Sequence, residues 1–256
     1  MNINDFVRAY SAANYLGRLG VGSGQPAAGT GSSLQGGLKK ADTRIQSLLD
    51  TNTAQLSAFG KLKSSLADTQ TTARALSGLT STTSAAAQRT AASQFVAAYN
   101  GAIEAARIAA TKAGGGAPAQ GASRVESDLG RAVASGTSAA ASLKQFGIEA
   151  GSDGKLVLDA TKFDVAQKSD AAGVLAGLVQ LGQQVDGAAT KSLAADGKLG
   201  ASLAVYSQKA SLLKNQQSVL SSLSAPSTSD QQDTGSYGSG LAAYSFKLSA
   251  YQTNWF

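Results

Sequence analysis

The chain has 256 residues and a formal net charge of +6, and Ala, Ser, Gly and Thr make up 129 of its positions. No His or Cys is present, which excludes Ser-His-Asp and Cys-His nucleophile systems, Cys/His zinc sites, disulfides, and haem or iron–sulfur ligation through those residues. Large apolar side chains are too sparse for a thick sandwich or doubly wound core, so the composition favours helices packed closely through small residues.

Taken in chain order, residues 3–19 form a short amphipathic unit, with Ile3, Phe6, Val7, Tyr10 and Ala13 at helical spacing. The Gly-, Ser-, Pro- and Thr-rich run 20–37 reads as a linker. A long helix is expected over 43–79. Ile45, Leu49, Asn52, Leu56 and Phe59 step by 4, 3, 4, 3, and after one extra step of three Leu62, Leu66, Thr69, Ala73 and Leu76 resume that rhythm. This is a heptad seam with one stammer-like step.

A second helix is expected from about Ala86 to Lys112, ended by Gly114-Gly-Gly-Ala-Pro118, and a weaker third over 123–146. The segment 147–159 reads as a small hairpin, with Asp153-Gly154 at the turn and Leu156-Val157-Leu158 as a strand. An acidic calcium loop is the alternative there, but Asp153 and Asp159 lack EF-hand spacing. Asp159 is placed to cap a following helix carrying Phe163, Val165, Val174, Leu175, Leu178, Leu181 and Val185.

A last long helix begins near Leu199. Leu199, Leu203, Tyr206, Ala210, Leu213, Gln217 and Leu220 form a second heptad seam, and antiparallel pairing with 43–79 would bury both. Residues 224–240 read as another linker, after which Leu241, Tyr244, Leu248, Tyr251 and Trp255 return to period. The expected fold is mainly α: a long antiparallel coiled-coil bundle with one hairpin and amphipathic terminal helices. Its expected parts are 1–42 (terminal helix and linker), 43–223 (body) and 224–256 (linker and terminal helix). Within the body, coil 43–79 with 199–223 carries an α-rich head over 86–190.

Certain phrases of the body resemble a known family. Leu56-Ser-Ala-Phe-Gly-Lys-Leu-Lys-Ser-Ser-Leu66, Phe95-Val-Ala-Ala-Tyr-Asn100, and Leu143-Lys-Gln-Phe-Gly-Ile148 followed by Asp153-Gly-Lys-Leu-Val-Leu-Asp159 are similar, in this order, to segments of the flagellar filament capping protein, hook-associated protein 2. Asp196-Gly-Lys-Leu199 occupies the matching place before the C-terminal helix. The resemblance implies an extracellular protein of the bacterial flagellum, exported through the type III apparatus without a cleaved signal peptide. It also implies a homo-oligomer that guides or anchors flagellin and contacts flagellin or hook-junction proteins; an export chaperone is a further candidate partner, and whether the chain needs one is left open. The large β-rich plate domains of that family are missing, since only residues 80–94 occupy their place.

The candidate assembly residues are Ile3, Phe6, Tyr10, Leu241, Tyr244, Leu248, Tyr251 and Trp255, chosen as stripes that would leave an apolar patch in water if unpartnered. No catalytic, metal or cofactor site is expected, and neither a nucleic-acid motif nor a membrane-spanning run is found. The alternatives are a phasin-like coat protein and an enzyme built on Asp153, Lys155, Asp159 and Lys162.

Overall fold

The computed structural model describes residues 30–134 and 143–224. The chain divides into two compact units: Asp42–Val219, and a second made of Met1–Ala41 with Leu220–Phe256. Six helices and one hairpin are found among the described residues: α1 Thr30–Ser77, α2 Ala85–Ala113, α3 Gly116–Ala134, β1 Ile148–Ala150, β2 Leu156–Leu158, α4 Ala160–Ser169, α5 Ala171–Leu193 and α6 Lys198–Ser224. The fold is therefore mainly helical, as expected from the composition.

Helix α1 is 48 residues long and starts at Thr30, so the expected linker 20–37 is overturned over its last eight positions. Gly36 and Gly37 cost about 1 kcal/mol each relative to Ala in a helix. Against that cost, Leu34, Leu38 and Ala41 extend the 4-3-4 rhythm of Ile45 in the N-terminal direction. Most of the seam is buried as spaced: Leu49, Asn52, Phe59, Leu62, Leu66, Thr69, Ala73 and Leu76 lie in the interior, while Ile45 and Leu56 are half-buried.

The pairing of the two seams is more divided than expected. Antiparallel contact between α1 and α6 is fixed by Gln217 Nε2 donating to Gln46 Oε1 (2.9 Å) and by Asn52 Nδ2 donating to Tyr206 O (2.9 Å). The rings of Phe59 and Tyr206 meet at 5.3 Å. Further along α1 the partner is α5, where Gln70 Nε2 reaches Thr190 Oγ1 and Arg74 Nε reaches Asp186 Oδ1. With 27 residues against 48, α6 is too short to face the whole first seam, and α5 takes over where it starts. Gly182 permits the close approach: a Cβ there would sit 2.4 Å from Ala73 O.

Ser84 caps α2, its Oγ accepting from Ala87 N, and Gly114 closes the helix in the left-handed region with φ 70°. Ala92, Ala102, Ala105, Ala106 and Ala109 are buried along α2, which lets its neighbours approach the backbone. The third helix starts at Gly116, seven residues before the expected position, and stops at Ala134. Pro118 is tolerated because it falls in the first turn, where backbone N–H groups have no intrahelical acceptor. The remainder of the expected 123–146 helix is helical again only at 143–145, and 135–142 lie outside the described residues.

The single helix expected after the hairpin is two. Asp170 ends α4 and starts α5: its N–H donates to Ala166 O while its Oδ1 accepts from Gly173 N at 2.8 Å. A short polar side chain that satisfies a free backbone donor competes with helix continuation, and here it breaks a pattern that periodicity alone reads as one.

Candidate functional site

The eight assembly residues chosen from the sequence, Ile3, Phe6, Tyr10, Leu241, Tyr244, Leu248, Tyr251 and Trp255, all lie outside the described residues. What the structure organises is the hairpin block and its clamp on α2. Strands β1 and β2 pair antiparallel with Ile148 opposite Leu158 and Ala150 opposite Leu156. Gly154 takes φ +70° at the turn, and its N–H donates to Gly151 O. Gly147 enters the hairpin at φ +78°, where a Cβ would stand 2.7 Å from Asp159 O and 2.9 Å from Lys162 Cβ. Glycine is required there by both backbone conformation and space.

Asn100, on α2, holds the second strand from outside. Its Nδ2 donates to Leu156 O at 2.8 Å, and its Oδ1 accepts from Leu156 N at 2.7 Å. The side-chain amide thus pairs with β2 as a neighbouring strand would. Arg107, two turns on, donates to Glu126 Oε1 through both Nε (2.9 Å) and Nη2 (2.8 Å), and Nη2 also reaches Asp153 O. The bond to Glu126 raises the guanidinium pKa still further, and this cation ties α2, α3 and the hairpin turn together. Lys155 pairs with Glu104 at 2.9 Å, and that hydrogen bond holds the exposed Glu104 carboxyl below its ordinary range.

The charged residues of the enzyme alternative have structural partners. Asp159 Oδ1 accepts from Thr161 N and Lys162 N as the cap of α4. Asp153 Oδ1 accepts from Lys155 N inside the turn, and Lys162 Nζ contacts Glu149 Oε1 at 3.2 Å. Among the described residues no group of three acidic ligands is placed to hold a metal ion, and no helix is long and apolar enough to cross a membrane. An open depression of about 350 Å³ runs along α4 past Phe146, Lys162, Val165 and Asp170. Tyr99 on α2 is buried, and burial, reinforced by Glu126, pushes its hydroxyl up to about 12.

The α1–α6 pair carries the other polar feature. Asn52 and Gln55 are buried on α1, and each spends its amide N–H on a main-chain carbonyl of a different helix, Tyr206 O on α6 and Lys112 O on α2. The Oδ1 and Oε1 atoms of these two residues have no partner among the described residues. Such polar layers penalise every alternative register, because sliding the helices would strand the donors too.

No family model matches the chain, no curated protein is significantly similar to it, and no solved structure matches its fold significantly. Sequence reasoning missed Asn100 as a clamp and Arg107 as a tie. The only signal for Asn100 was its place at the end of the Phe-Val-Ala-Ala-Tyr-Asn phrase; Arg107 carried none.

Proposed function

We propose that this chain is a structural, non-catalytic protein of the bacterial flagellar axis, similar to the filament cap and lacking its plate domains. It oligomerises at the filament or hook tip and guides or anchors flagellin. The observation that carries this reading is the union of two phrases of the resemblance in one physical unit. Asn100 closes the first phrase, Leu156 belongs to the second, and their main-chain and side-chain groups exchange two hydrogen bonds. A register-specific α1–α6 pair supports it as well, since a rigid stalk transmits position between subunits without any chemistry. The terminal stripes ending in Trp255 supply the contacts to neighbouring subunits and flagellin.

The experiment is negative-stain imaging and light scattering of the purified full chain with and without flagellin filaments, beside a chain lacking 241–256. The full chain forms oligomers and sits at filament ends, while the truncated chain keeps its helical circular dichroism and does neither. A strictly monomeric full chain that ignores filaments refutes the proposal, and recovery from cells with storage granules moves the assignment to a coat protein.

A further inference from the structure

Helix α2 covers only part of the α1–α6 pair. Gln55 on α1 reaches Lys112 O, and α2 stops one residue later at Ala113, where the chain turns back as α3. Leu48 lies seven residues before Gln55 in the same row of α1, so it continues the face that α2 covers, and it is only half-buried. On α6 a second row, distinct from the buried seam, carries Val205 and Leu212 one heptad apart, 47% and 63% exposed. Helical rotation in an antiparallel pair puts this row on the same flank as Leu48 and Gln55. Between residues 42 and 55 of α1, about 20 Å at 1.5 Å per residue, the two helices thus leave open a groove that prolongs the line of α2, with Leu48, Val205 and Leu212 as its apolar side chains.

Asp42, like Asp50, projects from the other flank of α1, so the charge that faces that groove has one sign. Lys112 stands at the end of α2 and Lys209 beside Leu212, both exposed and neither in an ion pair among the described residues. Helix α6 carries Lys198, Lys209 and Lys214 and no carboxylate over its 27 residues. Asp50 projects from the other flank of α1 and accepts from Gln46 Nε2. A second copy of α6 would set lysine against lysine, and the segment 241–256 offers Lys247 and no acidic side chain.

We propose that this groove receives an amphipathic helix of another protein, one whose apolar row is flanked by Asp or Glu. The incoming helix takes the position that α2 vacates, covers Leu48, Val205 and Leu212, and sets its carboxylates against Lys112 and Lys209. The inference rests on the assembly reading only in that the chain has a partner.

The test uses the full chain and two fluorescent peptides of three heptads, both with Leu at the a and d positions, one with Glu and one with Lys at e and g. By anisotropy the acidic peptide binds and weakens as salt rises, while the basic one does not bind. Leu212→Asp removes binding with unchanged circular dichroism and unfolding midpoint. The double variant Lys112→Glu, Lys209→Glu loses about tenfold for the acidic peptide and gains the basic one. Equal binding of both peptides, or undiminished binding to Leu212→Asp, overturns the inference, as does a chain whose self-association is abolished by Leu212→Asp. Filament binding without peptide binding overturns this inference alone. Peptide binding without any filament association leaves the groove standing and removes the flagellar reading.

Discussion

Replacing Asn100 by Ala tests whether the hairpin is held by α2 or merely rests on it. The substitution removes both hydrogen bonds to Leu156, at 2.8 and 2.7 Å, and leaves a main-chain N–H and a C=O of a residue that is 2% exposed without partners. Each lost bond is worth about 0.5–1.5 kcal/mol net, and each stranded main-chain group adds to that unless water replaces the amide. Asn100 is itself half-buried, so water reaches the site in part, and the expected loss is about 2–4 kcal/mol. For a cooperative unit of this size that lowers Tm by roughly 5–15 °C. Urea unfolding followed by circular dichroism gives the free energy, and amide hydrogen exchange at Leu156 gives its location. Asn100→Asp supplies the control. It keeps the acceptor for Leu156 N but turns a carboxylate toward Leu156 O, so it recovers little of the loss. A cost below about 0.5 kcal/mol, with Leu156 exchange unchanged, would refute the clamp.

Gly147→Ala forces a side chain into φ +78° against Asp159 O, and the expected destabilisation is about 2–4 kcal/mol by denaturant titration, concentrated in loss of hairpin resonances. Asn52→Leu fills the seam with apolar volume and gives up the bond to Tyr206 O; the unfolding midpoint rises while the amide spectrum splits into more than one register. Tyr99 is held neutral, with its hydroxyl raised from 10.0 to about 12, so its contribution is complete below pH 10 and is lost as pH climbs toward 12. Tyr99→Phe therefore matches the parent near neutral pH and unfolds less readily above pH 10, as thermal melts across that range will show.

The first seam was legible because burial in a long helix repeats at a fixed spacing, and all but Leu56 of its members from Leu49 to Leu76 lie inside; in the second, Leu199, Tyr206 and Leu213 are buried and the members between them are half-buried. Turn chemistry was legible for the same local reason: Asp153-Gly154 and the Asp159 cap depend on residues within a few positions of each other. Helix ends were not. Asp170 splits α4 from α5 because its carboxylate can satisfy Gly173 N, a choice between two local bonds that periodicity does not record. Three glycines in a row were read as the end of one helix, and Gly116 also begins the next.

The sequence by itself determined a mainly helical body with no His or Cys chemistry, since small residues between sparse large ones are buried efficiently in closely packed helices. It also determined the hairpin and the glycines at its corners. Which helix faces which half of α1 was decided only in three dimensions. Both α5 and α6 offer apolar rows, and length and register assign α6 to Gln46–Phe59 and α5 to Gln70–Arg74. The clamp of Asn100 on Leu156, 56 residues away, belongs to the same class. An amide side chain announces that it needs partners, but only the packing of α2 against the hairpin supplies a strand backbone at the right distance.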